Sequence, residues 1–182
     1  IKGVITGGLS TSDGYGLRMM QEVGGQLYSE TMHWVPTYPM GLESPENPGT
    51  GRIMTTKTQF AGGILVNMEG KRFVNEVDED NVVREHMLEK QTDGIQWEVY
   101  TDKIVEDLLQ TNQKGMYEFF FMTDAGKSYI VEADSLEELA EKMGVDSEVF
   151  VETVADYNKA VDGEIDDEFG RTFEMGENPF NL

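Results

Sequence analysis

The stretch Gly62-Gly63-Ile64-Leu65-Val66-Asn67-Met68-Glu69-Gly70-Lys71-Arg72-Phe73-Val74-Asn75 constrains the fold more than any other part of the chain. Its apolar run, closed off by a glycine pair and an asparagine, reads as a buried strand. Gly70 supplies a turn, and Arg72–Asn75 reads as the returning arm of a hairpin. A lone hairpin is marginal in water and needs further strands or helices to cover it. Trp97–Tyr100 and Glu118–Met122 read as such strands, with a helix over Ile104–Leu109 between them and another strand at Lys127–Val131. Upstream, Leu27–Val35 reads as short and extended. Pro36–Gly51, with four prolines, reads as a loop long enough to be functional or mobile.

Helices are announced by their ends. Ser12 or Asp13 can cap a helix running to the Gly24-Gly25 stop, with Leu17, Met20 and Val23 along one face. Val82, Val83, His86, Met87 and Leu88 fit a helix from about Glu79 to Lys90. Ser135-Leu136-Glu137-Glu138 has the form of a capping box, and Asp146 or Ser147 caps a further helix. In that helix Val151, Val154, Tyr157, Asn158 and Val161 form one face. Strands and helices mixed without strict alternation give an α+β class.

The chain's 182 residues, 38% of them hydrophobic and 10% aromatic, are enough for a core of ordinary size and too apolar for an acidic disordered chain. A formal charge of −21 disfavours nucleic-acid phosphates as partners. The absence of cysteine removes disulfides, thiol catalysis and cysteine-ligated metals. No apolar run is long enough for a membrane-spanning helix, and no signal peptide is visible in this stretch. The charge is uneven: residues 1–60 carry 5 acids and 4 bases, residues 61–182 carry 30 acids and 10 bases. Such asymmetry marks either a solvated surface or a first third that lies against something else.

Common catalytic signatures are missing. There is no Gly-x-Ser-x-Gly elbow, phosphate loop or His-Glu-x-x-His, and Asp13-Gly14-Tyr15-Gly16 lacks the third glycine and preceding strand of a dinucleotide fingerprint. Asp162–Phe173 superficially has a calcium loop's acids but not its sixth-position glycine or final glutamate. His33 and His86 are too scattered for a metal site, so none is expected.

The hairpin stretch, extended to Glu76, resembles the fumarate reductase and succinate dehydrogenase flavoprotein superfamily, nearest its soluble fumarate reductases and ketosteroid dehydrogenases. Further stations agree in order. Ser12-Asp13-Gly14 resembles the helix start beside the flavin, and Val154–Val161 resembles the late cap helix. Asp166-Asp167-Glu168-Phe169-Gly170-Arg171 and Asn178-Pro179-Phe180 resemble the return to the flavin domain. The resemblance implies a cap, or substrate-side, domain with a small mixed or antiparallel sheet over residues 41–177. Residues 1–40 and 178–182 would be edges of a flavin-binding domain. It implies FAD as cofactor, the remaining flavin-binding domain of the same polypeptide as partner, and hydride transfer to a small organic substrate. The isolated fragment would be inactive. A stand-alone binding or interaction domain on the same scaffold is the alternative.

Carried across by position, Asp13 matches a FAD-contacting aspartate, or simply caps its helix. Thr55 matches a substrate-contacting threonine. The relay glutamate and arginine of fumarate reductases fall at Thr56 and Gln59, which leaves Thr55, Thr56 and Gln59 as substrate-side positions. Val35 replaces the histidine before Pro36-Thr37, and Asp80 takes the place of the proton-donating arginine. The ketosteroid enzymes' tyrosine at that place is absent too. An aspartate there would repel a dicarboxylate. Asp80 either acts as an acid/base group or caps the following helix and pairs with Arg84, and Arg84 is positioned to replace the missing arginine from the next turn.

Overall fold

Ile64–Asn67 is buried at every position, so this strand is covered on both faces, and the architecture follows from what covers it. The structure is a computed structural model that describes residues 11, 13–26, 41–44, 47–53, 58–122, 130–173 and 180. In chain order its elements are α1 (Tyr15–Glu22), β1 (Gly41–Ser44), β2 (Asn47–Ile53), β3 (Ile64–Asn67), α2 (Asn81–Glu89), β4 (Gln96–Val99), α3 (Asp102–Leu109), α4 (Lys114–Met122), α5 (Leu136–Met143) and α6 (Ser147–Val161), with a 3-10 turn at Thr58–Ala61. Two antiparallel pairs form, β1 with β2 and β3 with β4, within an α+β arrangement. No helix among the described residues is long and apolar enough to cross a membrane.

Alternation along β3 divides the core. Ile64 and Val66 face α5 and α6, where they meet Ala140, Met143, Phe150, Val154 and Tyr157. Leu65 faces the other way, onto Phe73 and Val74, with Met87 and Leu88 of α2 behind them. The inward stripe of α6 is Phe150, Val154, Tyr157 and Ala160, while Val151 and Val161 lie half-buried at its margin. Ser135 accepts from the Glu138 amide at 3.1 Å and Asp146 from the Val149 amide at 3.0 Å, so both expected caps form. Gly70 is needed for two reasons: its φ is 78°, and a Cβ would come within 3.3 Å of the Asp146 carbonyl and the Phe150 nitrogen.

Several expectations are corrected. The partner of β3 is β4, Ile64 opposite Val99 and Asn67 opposite Gln96, and the Arg72–Asn75 arm makes only a single bridge, Val66 to Arg72. Asn67 builds the turn itself: its side chain accepts from the amides of Glu69 at 3.1 Å and Lys71 at 2.9 Å, and its own amide donates to the Lys71 carbonyl at 2.9 Å. Glu118–Met122 is helical, part of α4. Its apolar run suits either period, and the choice is made by Tyr117 and Phe121, one turn apart and stacked with centroids 6.0 Å apart against Ile104 and Leu108. Part of the supposed Pro36–Gly51 loop is strand β1 and the start of β2, paired to each other. Ile130 and Val131 are not in a strand, and Leu27–Val35 lies outside the described residues.

At the centre lies a charged network that no periodicity announces. Glu76 has no exposed surface and accepts from Arg72 Nε at 2.7 Å, Arg72 Nη2 at 2.8 Å, Arg171 Nη1 at 3.2 Å and the Leu65 amide at 3.3 Å. Arg72 Nη1 reaches Asp167 at 2.5 Å, and the Asp167 carboxylate also accepts from the amides of Phe169 and Arg171. Burial opposes the charge on Arg72, but Glu76 and Asp167 outweigh it and raise its pKa. Burial likewise pushes Asp167 up, and Arg72 with the two amides more than reverses this, leaving its pKa below the ordinary value. The Tyr157 ring closes the network, with Arg72 4.8 Å and Arg171 5.4 Å from its centroid.

Two outcomes follow. Glu76→Gln leaves two buried guanidiniums facing one carboxylate and should cost about 3–5 kcal/mol, read as a drop in the urea midpoint. The lowered pKa of Asp167 means that the unfolded chain binds its proton first on acidification. The stabilisation is therefore complete above the unfolded carboxylate pKa of about 4 and is lost as pH falls through the folded value. Melting temperature should fall below about pH 4, and Asp167→Asn should flatten that slope while lowering stability at neutral pH.

Candidate functional site

The candidate residues are best built outward from the 3-10 turn at Thr58–Ala61. Thr58 is fully buried, and its hydroxyl donates to Glu98 on β4. The same carboxylate oxygen accepts from the Gln59 amide at 3.4 Å. From the other side, Arg171 Nη2 donates to the Gln59 carbonyl at 3.2 Å and Nη1 to the Gly63 carbonyl at 2.9 Å. Tyr157 donates its hydroxyl to the Gly62 carbonyl at 3.0 Å. The backbone of the turn is thus held from several elements, while the Gln59 side-chain oxygen is buried without a hydrogen-bond partner among the described residues.

Next to the turn stands α2. Asp80 is its N-cap, with extended backbone, and its carboxylate accepts from the Val82 amide at 2.9 Å. Asp80 is exposed, and its own amide donates to Asp78 at 2.8 Å. One turn on, Arg84 is only 7% exposed. Its Nη1 donates to the Glu76 carbonyl at 2.7 Å, and its guanidinium carbon lies 5.4 Å from the centroid of Phe60, itself 52% exposed. Burial lowers the Arg84 pKa, with the Asp78 charge opposing. A desolvated guanidinium beside an exposed ring is suited to hold an anionic or strongly polarised oxygen.

The structure therefore sets Phe60, the neighbour of Gln59 in sequence, against Arg84, with Asp80 capping the helix that carries Arg84. Thr55 and Thr56, immediately before the turn, lie outside the described residues, as do His33, Val35, Pro36 and Thr37. Asp13 stands apart: its carboxylate accepts from the Tyr15 amide at 2.9 Å and meets Arg18 at 3.4 Å, just ahead of α1. Gly14, with φ 77°, is the N-cap itself and supplies no side-chain bond. No hydrogen bond among the described residues ties Asp13 to the Gln59–Arg84 group. Phe60 and Glu98 escape sequence reasoning, which gives Arg171 no role at the site. The signal for Arg171 is its place in the Asp166–Arg171 stretch that resembles the return to the flavin domain.

Comparison with known proteins bears on this geometry. The family model for the FAD binding domain matches residues 2–181. The NADH:fumarate oxidoreductase of Klebsiella pneumoniae (strain 342) is 25% identical over 185 residues, covering 100% of this chain and 18% of the relative. A fumarate reductase (cytochrome) of Shewanella frigidimarina is 28% identical over 172 residues, covering 94% of this chain and 27% of the relative. The open conformation of a flavocytochrome c3 fumarate reductase shares the fold, with a TM-score of 0.62 and 21% identity over 87% of this chain and 25% of that one. The chain spans under a third of the length of these relatives. FAD is the cofactor this family implies. Spanning nearly the whole sequence, these matches identify the chain as a member of the FAD binding domain family, within the fumarate reductase and succinate dehydrogenase flavoprotein superfamily.

Proposed function

We propose that this chain forms the substrate-covering part of a FAD-dependent oxidoreductase. In this reading residues 41–177 close over the substrate, and residues 1–40 and 178–182 join a flavin-binding portion of the same polypeptide. The observation that carries the reading is Arg84, a buried guanidinium braced on the Glu76 carbonyl beside exposed Phe60. The substrate is an unsaturated or ketonic small organic molecule, and FAD, when bound, supplies the hydride. Arg84 orients the substrate's anionic or carbonyl oxygen, and its lowered pKa makes each N–H a stronger donor. Gln59 offers a second polar side chain, and Thr55 and Thr56 remain substrate-side positions by the family resemblance alone.

The described residues fit FAD only in part. Asp13 is an exposed acceptor at the open start of α1, where a Cβ on Gly14 or Gly16 would meet nothing within 4 Å. That suits a hydroxyl or ring N–H of the cofactor. The neighbouring cation Arg18 is already paired with Asp13, which leaves the diphosphate to the rest of the polypeptide. On α1, Tyr15, Leu17, Met20 and Val23 are exposed, a surface suited to burial against that portion.

Asp80 shapes selectivity through its charge. Its carboxylate fixes the start of α2 and so the place of Arg84, while opposing a second carboxylate on the substrate. The complete polypeptide should bind FAD, seen as flavin absorbance, and reduce acrylate in preference to fumarate. Arg84→Met should lower kcat/KM on the order of 100-fold. Asp80→Asn keeps a good cap, so the melting temperature should hold while kcat/KM for fumarate gains about fivefold over acrylate. A polypeptide that takes up no FAD, or an Arg84→Met variant within twofold of the parent, sinks the proposal in favour of a binding domain without catalysis.

A further inference from the structure

We infer that Arg171 is a positioning residue that sets the Gln59 turn relative to Arg84, a role that deepens the reading above and rests on it for its catalytic consequence. The guanidinium of Arg171 is almost wholly buried, and its donors spread over separate parts of the chain. Nη2 holds the Gln59 carbonyl at 3.2 Å, while Nη1 is shared between the Gly63 carbonyl at 2.9 Å and Glu76 Oε2 at 3.2 Å. The residue whose side chain it grips, Glu76, in turn grips Arg84 through its backbone carbonyl at 2.7 Å. The two candidate substrate-side residues thus hang from one guanidinium, Gln59 directly and Arg84 through Glu76.

Arg171 is itself fixed before it reaches the turn. Its amide donates to Asp167 at 2.9 Å, and its guanidinium carbon lies 5.4 Å from the Tyr157 centroid and 5.5 Å from that of Phe173. Charge balance and reach are separable here. Arg72 and Arg171 offset Glu76 and Asp167, so any cation at position 171 maintains neutrality. Only a planar fork supplies donors to the Gln59 and Gly63 carbonyls and to Glu76 together, which the compact ammonium of a lysine does not. A turn displaced by even an ångström moves the Gln59 amide off its substrate position, the scale at which orientation effects reach large factors in rate.

The test compares Arg171→Lys with Arg171→Met in the complete flavoprotein. Arg171→Met unbalances a buried charge and reports on folding, so Arg171→Lys is the deciding variant. For Arg171→Lys, amide hydrogen exchange at Gln59 and Gly63 should rise about tenfold while the amides of α6 stay at parental rates. The acrylate KM should rise about tenfold with kcat within about threefold and flavin absorbance unchanged. Equal exchange at residues 58–63 in Arg171→Lys and parent overturns the inference, as does a uniform rise that includes α6, which would mean a purely structural role. An unchanged KM despite local loosening overturns the catalytic consequence. If the parent binds no FAD or reduces neither acrylate nor fumarate, the functional reading fails instead, and the exchange pattern alone still decides whether Arg171 positions the turn.

Discussion

A carboxylate placed where water does not reach must be neutralised by what surrounds it or by a proton. Glu76 is that carboxylate, and its partners come from positions the chain has no local reason to bring together. Arg72 is one helical step away in sequence but sits at the bridge to Val66, and Arg171 arrives from 95 residues downstream. Between them they satisfy both carboxylate oxygens, and the backbone amide of Leu65 adds a bond from the central strand. Once Glu76 is fixed, so are the course of the chain after β3, the start of α2 through its carbonyl, and the tail that follows α6. The aromatic wall of Tyr157, Phe169 and Phe173 excludes water from the arginines and returns part of their lost hydration through their ring faces.

This explains what was readable in the sequence. Elements whose cause is local were legible: the caps at Ser135 and Asp146, the strand at Ile64–Asn67, and the helix after Asp80. The identity of β3's partner was not, because hairpin grammar favours the nearest extended arm, whereas β3 pairs with the distant Gln96–Val99. For α4 the sequence offered a run of aromatics that satisfies either period, and only its packing against α3 selects helix. At the candidate site, Asp80 and Arg84 share one helix and so were found together. Glu98 and Phe60 were missed because Glu98 meets Thr58 only through the β3–β4 pairing, 40 residues away in sequence.

The uneven charge of the chain takes on a physical meaning in the same terms. The one α-helix among the described residues of the near-neutral first third is α1, and no residue of that helix is buried although its apolar side chains are large. An eight-residue helix of this kind gains little from intrinsic propensity, and helices draw most of their stability from burying an apolar face. The acid-rich remainder shows the opposite pattern: its carboxylates decorate the outer faces of α5 and α6 while Ala140, Met143, Phe150 and Val154 turn inward. The proposed flavin-binding portion would give α1 the burial it lacks, and would do so without drawing a dense field of carboxylates into a low-dielectric contact.

The same electrostatics bear on what the site admits. Arg84 presents one positive charge, but the loop that leads into α2 carries Asp78 and Asp80, and Asp78 already draws on that charge. The carboxylate of Asp80 is held by the amide of Val82, and that amide in turn receives the negative charge favoured at a helix N-terminus. Its position is therefore set by helix formation, whatever it contributes to binding. In the proposed function, a ligand with a single anionic or carbonyl oxygen would engage Arg84 while keeping its remainder against Phe60. A second carboxylate would have to settle near Asp80 or go unpaired, and at separations of a few ångströms such repulsion is worth on the order of 1 kcal/mol or more where water is partly excluded. In the proposed function, selectivity would thus follow from a residue whose placement is dictated by the need to begin a helix.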